Sequence, residues 1–91
     1  MTVVVTIDVP NGSEEQYEEI AGKMFPEGKL PEGWLLHLAG PSKTGWRVVN
    51  VVPSQEKFED FARERLLPAL EEAGDATPQL TFSPLHRLVL P

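Results

Sequence analysis

The stretch from Gly45 to Phe61, GWRVVNVVPSQEKFEDF, joins a strand to a helix with almost nothing between them. Trp46 to Val52 is short, apolar and β-branched, which suits a strand. Pro53 cannot donate to a ladder and stops it. Ser54 is a good helix cap, and Phe58 and Phe61, three residues apart, begin the apolar face of the helix that follows.

The rest of the chain can be read around this unit. Val3 to Val9 (VVVTIDV) is too short for a helix and fits a central strand buried on both faces. Pro10-Asn11-Gly12 breaks it. Asn11-Gly12-Ser13 also matches a glycosylation sequon, but it reads as a turn. Ser13 then starts a helix, with Gln16 completing a capping box and Glu14 and Glu15 in the first turn, where the helix dipole favours negative charge. Tyr17, Ile20, Ala21, Met24 and Phe25 form its apolar face, and Pro26 ends it.

A Pro- and Gly-rich loop spans Pro26 to Gly33. Trp34 to Ala39 (WLLHLA) is a second strand, and the Gly40 to Gly45 turn joins it to the third as an antiparallel hairpin. The second helix is expected from about Gln55 to Ala73, with Phe58, Phe61, Ala62, Leu66, Ala69, Leu70 and Ala73 inward. Pro68 should kink or split it, and Gly74-Asp75 should close it. A last extended segment covers Leu80 to Leu90, with Pro84 placed for an edge or a bulge.

Strand, helix, strand, strand, helix, strand is the split βαβ order. The expected fold is therefore α+β, a ferredoxin-like βαββαβ domain over residues 1–91, with a four-stranded antiparallel sheet and both helices on one face. The 91 residues make one small domain, which buries only roughly 60–65% of its chain surface. The second sheet face would be left bare, and pairing two such faces yields a homodimeric α/β barrel.

Composition narrows the partners. The formal charge is −6, from 14 acidic and 8 basic residues, and the basic ones are scattered. Nucleic acid and anionic membranes are poor partners for such a surface. With no cysteine, disulfides, thiolate catalysis and Cys-based metal sites are excluded. The first residues lack the pattern of a signal peptide, no apolar run is long enough to cross a bilayer, and a cytoplasmic location is expected.

Element order, the VVNVVPSQEKFEDF junction and a final segment containing Pro84-Leu85-His86-Arg87 together resemble the dimeric α/β-barrel superfamily, and within it the antibiotic-biosynthesis monooxygenase-like family. The resemblance covers nearly the whole chain. It implies a homodimer with a ligand pocket between helices and sheet. The superfamily carries several chemistries, so fold alone does not choose among them. Its haem-degrading branch places a Trp at the end of the third strand, an Asn on the first and a His on the second helix. Here Val52 replaces the Trp, Thr6 and Asp8 stand where the Asn would be, and the second helix holds no His. Neither haem nor another cofactor is expected.

Two histidines remain, His37 and His86, and their spacing forms no metal motif. Alternation puts Trp46, Val48, Asn50 and Val52 on one face of the third strand. If Gly40 opposes Gly45, His37 opposes Val48 and joins Trp46 and Asn50; a one-residue slip reverses this. The resemblance turns that face towards a pocket walled by Tyr17, Met24, Phe58 and Phe61. Val49, Val51, Leu36 and Leu38 would face the dimer partner. Arg47 is expected to pair with a carboxylate.

An imidazole accepts protons near neutral pH, so His37 is the candidate base and Asn50 its catalytic partner. Trp46, Tyr17, Met24, Phe58, Phe61 and His86 are candidate substrate contacts, and no residue is assigned to a metal. The function expected is binding or transformation of a small aromatic or polyketide-like molecule without metal or haem, as in a cofactor-independent monooxygenase or cyclase. The alternative is a non-catalytic dimeric ligand-binding or structural module, since the sequence shows no crowd of ionisable groups.

Overall fold

A computed structural model describes residues 1–74 and 77–91. Four strands form one antiparallel sheet: β1 Val3–Pro10, β2 Leu36–Pro41, β3 Gly45–Val52 and β4 Gln79–Pro84, in the order β2-β3-β1-β4. Helix α1 (Glu14–Met24) follows β1. After β3 comes a helical arm made of α2 (Gln55–Phe61), a π-helical turn (Ala62–Leu66) and α3 (Leu67–Glu72). This is the expected α+β ferredoxin-like arrangement, with both helical arms on one face of the sheet.

Local chemistry sets the element ends. The Ser13 side chain accepts from Gln16 N–H at 3.2 Å, and Ser54 accepts from Lys57 N–H at 3.1 Å. Each satisfies one of the donors that a helix start leaves free. Asn11 takes a left-handed backbone (φ 62), so the sequon is indeed a turn.

Pro68 acts upstream of itself. It has no N–H, and its ring would collide with the carbonyl of Glu64, four residues back. The helix answers by widening, so that Leu67 N–H reaches Ala62 O, five residues away. The expected split is thus a π turn. Gly74 (φ 75) ends the arm. Asp75, the other half of the expected stop, lies outside the described residues.

The core lies between sheet and helices. Val3, Val5, Ile7 and Val9 of β1 and Val48 and Val52 of β3 meet Ile20 and Met24 of α1, and Phe58, Ala62, Leu66, Ala69 and Leu70 of the arm. Phe58 is fully buried at the centre. β1 is central, as expected, but only one of its faces is covered. Val4, Thr6 and Asp8 on the other face are only partly buried. That open face also carries Val49, Leu36 and Leu38. Leu38 is 50% exposed, whereas Val51, opposite Leu36, is 2% exposed. Arg47 pairs with Asp8 opposite it on β1 at 2.7 Å, a cross-strand pair within one chain.

Three expectations need correction. β2 begins at Leu36 rather than Trp34. Gly33 (φ 88) and a bond from Trp34 N–H to Pro31 O at 3.2 Å hold Trp34 in the preceding turn, where its indole packs on Phe58 and Phe61. The β2–β3 hairpin is also tighter than a Gly40–Gly45 pairing. Ser42 and Gly45 close it, with Ser42 N–H to Gly45 O at 2.9 Å, leaving Lys43 and Thr44 at the tip. Gly40 therefore opposes Arg47, and His37 opposes Asn50 instead of Val48. The shift is two residues, so every side chain keeps its expected face. Finally, the last strand stops at Pro84. Its partner β1 has run out by then: Leu85 N–H bonds Thr2 O at 3.0 Å, and beyond it no ladder remains. Val89 is 78% exposed.

Candidate functional site

Asn50 sits mid-strand in β3 and is 3% exposed, the one buried polar residue among those described. Its backbone is committed to the sheet, so its amide needs side-chain partners. Opposite it on β2, His37 Nδ1 lies 2.5 Å from Asn50 Oδ1. On the other side of the ring, His37 Nε2 lies 2.5 Å from the Tyr17 hydroxyl of α1. An amide oxygen only accepts. Nδ1 must therefore carry the hydrogen, and the Nε2 lone pair accepts from Tyr17. One continuous chain, Tyr17–His37–Asn50, thus links helix, edge strand and inner strand.

Aromatic rings hold this chain in place. Phe25 meets the imidazole edge-on with centroids 4.7 Å apart, and Tyr17 stacks on Trp46 at 5.4 Å. Burial, and then the neighbouring Glu18 carboxylate, push the Tyr17 phenol above its usual value of 10.0. Tyr17 is accordingly a neutral donor and acceptor at physiological pH.

The chain borders a cavity with almost wholly apolar walls. Tyr17, Met24, His37, Trp46, Asn50, Phe58 and Phe61 all line it, with Ile7, Val48 and Leu66 among the remaining wall residues. Seven of the eight candidate residues therefore converge. His86 does not: it is exposed beyond the end of β4. The cavity volume is about 40 Å³, room for a water or two rather than an aromatic ring. His37 also edges a separate open groove of about 590 Å³, lined by Glu18, Ala21, Gly22, Phe25, Glu27, Gly28 and Leu30. His37 thus has an outer side as well as an inner one. Among the described residues no cluster of three or more His, Asp or Glu is placed to hold a metal ion.

Sequence reasoning paired His37 with Asn50 and put Tyr17 on the pocket wall, but did not foresee the Tyr17 hydroxyl on His37 Nε2. The signal was an aromatic hydroxyl on an otherwise apolar helix face, which a buried site must satisfy.

No protein-family model matches the sequence and no curated protein does. The structure, however, superposes on a solved protein from Deinococcus radiodurans, named a putative antibiotic biosynthesis monooxygenase, with a TM-score of 0.62 over 100% of this chain and 98% of that one. The two chains share one fold. Identity is 11%, so the likeness is carried by element order and packing rather than by matching residues. It agrees with the architecture read from the Gly45–Phe61 junction. No helix among the described residues is long and apolar enough to cross a membrane.

Two expectations follow from the chain of bonds. Asn50→Ala should cost about 1–3 kcal/mol, because it strands His37 Nδ1–H. In a urea-denaturation cycle with His37→Ala the two changes should be coupled by about 0.5–3 kcal/mol; additive losses would show that the bond contributes nothing. Tyr17, held protonated more firmly in the folded state, contributes stability that is complete below its unfolded value of 10.0 and lost as pH rises beyond it. Unfolding free energy should fall above pH 10.0, and Tyr17→Phe should remove that part of the decline.

Proposed function

We propose that the protein binds a small aromatic, polyketide-like molecule between helices and sheet and removes a phenolic or enolic proton from it, in a monooxygenase-like reaction that needs no cofactor. The observation that carries this reading is the Tyr17–His37–Asn50 chain on the wall of an apolar cavity. A ligand hydroxyl donates to the Tyr17 oxygen while the Tyr17 proton passes to His37 Nε2. Asn50 Oδ1 keeps the Nδ1–H bonded, so the imidazolium that forms is not left bare on either nitrogen. The products of this step are a bound phenolate, neutral Tyr17 and protonated His37.

Such a phenolate is electron-rich enough to react with dioxygen. One oxygen atom enters the ring, the other leaves as water, and the phenol becomes a quinone: phenol and O₂ give quinone and water, with no external reductant. The name carried by the Deinococcus radiodurans neighbour agrees with this class of reaction. His37 is thus the base and Tyr17 its relay, with Met24, Phe58 and Phe61 as apolar wall.

One observation favours a second reading, a non-catalytic dimeric module. The cavity, of only about 40 Å³, is a nearly filled core, as a purely structural role would require. A titration with 1-naphthol separates the two. The first reading expects absorbance of bound naphtholate at neutral pH and oxygen uptake at an electrode, with uptake reduced about 100-fold or more by His37→Ala and clearly reduced by Tyr17→Phe. Wild-type protein that binds no naphthol at millimolar concentration would support the structural module.

Both readings use the open sheet face, where Leu36, Leu38, Val4 and Val49 would meet their copies across a two-fold axis. Light scattering should give a dimer at micromolar concentration, and Leu38→Glu should shift it to monomer. A stable wild-type monomer would remove the barrel.

A further inference from the structure

Among the described residues, one buried side-chain nitrogen or oxygen has no hydrogen-bond partner: Nε1 of Trp46. An indole N–H is a donor only, and buried Trp normally finds an acceptor. Trp46 lines the cavity, stacked on Tyr17. No acceptor among the described residues hydrogen-bonds it: the Tyr17 hydroxyl and the Asn50 amide oxygen both take part in the chain through His37 and neither meets the indole N–H. The missing acceptor therefore points to something the chain does not itself supply.

The lining narrows what that is. Among the described residues it contains no Lys, Arg, Asp or Glu. A full carboxylate or phosphate would lose its hydration there without gaining a counter-charge. A cation has hydrogens to give and none to accept with. A neutral oxygen acceptor on a flat apolar body meets both demands, because it takes the N–H and lies against the stacked rings.

We propose that Trp46 is a specificity-determining residue whose indole N–H takes the carbonyl oxygen of a neutral aromatic ketone, so that the ligand class is aryl ketones rather than simple hydrocarbons or acids. This rests on the reading of the cavity as a ligand site, and it does not require the proton relay.

Acetophenone and ethylbenzene make the test, since they are alike in size and neither carries an acidic hydroxyl. Binding to the full chain is followed by proton–nitrogen NMR, in which Trp34 and Trp46 each give an indole signal. Acetophenone should bind about tenfold more tightly than ethylbenzene, as one satisfied buried donor implies. It should move the Trp46 indole proton downfield and leave that of Trp34 in place. Trp46→Phe keeps an aromatic wall without the N–H and should erase the preference. An unchanged Trp46 signal in saturated wild-type protein would overturn the proposal even if the variant folded poorly. So would a preference that survives in Trp46→Phe, or failure of acetophenone to bind at all. If the ketone preference holds while naphthol is never deprotonated, the relay falls and the site stands. If neither aromatic probe binds, both fall.

Discussion

The interaction on which this structure turns is the burial of one amide. Asn50 lies in the middle of an otherwise apolar sheet face, where an unmet polar group costs about 1–3 kcal/mol. β3 has strands on both sides, so backbone groups are already paired. The amide can be satisfied only by a side chain at its own level, and His37 directly across β2 is that side chain. The imidazole then has a second nitrogen to satisfy, and Tyr17 of α1 meets it. A folding requirement thus produces a defined tautomer, an oriented hydroxyl and a link between three elements. The structural and the chemical readings of this site begin from the same two bonds.

Much of this was legible in the sequence because it depends on short periods. Alternation along β3 sorted Trp46, Val48, Asn50 and Val52 from Arg47, Val49 and Val51. The helical spacing of Ile20, Met24, Phe58, Leu66 and Leu70 identified the covering layer. The hairpin register was misjudged by two residues, because a tip of Lys43 and Thr44 was hidden inside a six-residue turn pattern. That error was harmless. An even shift preserves faces, so His37 came to the helix side under either pairing, and the tighter turn brought it opposite Asn50 itself.

What the sequence did not disclose depends on where separate elements end up. The apolar tail after Pro84 has strand-like composition, but a strand needs a partner, and β1 begins only at Val3. Trp34 has the composition of a strand residue too. The positive φ of Gly33 turns it into the helix layer, where it joins Phe25, Phe58 and Phe61. The bond from Tyr17 to His37 is of the same kind. The helical phase of Tyr17 showed that it faces inward, but how far along the sheet α1 sits, and hence which group its hydroxyl meets, is a property of packing. His86 was expected on a last strand running to Leu90; that strand ends at Pro84, which leaves the imidazole outside the cluster.

The two walls of the cavity differ in how they are held. His37, Trp46, Val48 and Asn50 stand on strands bonded to their neighbours along continuous ladders. Moving any of them breaks several bonds together. The opposing wall is carried by the arm after β3, in which Phe61 lies just before the π turn and Leu66 closes it. There the regular i to i−4 bonding is already interrupted by Pro68, and the backbone tolerates more than one hydrogen-bond pattern. Tyr17 and Met24 come from α1, which is tied to the arm by Arg65 reaching Met24 O at 3.2 Å and by Lys23 with Glu72 at 2.5 Å. The Lys23–Glu72 pair is exposed and a weak tie, whereas the Arg65 bond is partly buried. Room for a ligand would therefore come from the arm after β3, at Phe61 and Leu66, and not from the sheet. His37, Trp46 and Asn50 would keep their places, and α1 would have to stay with them for Tyr17 to remain on His37.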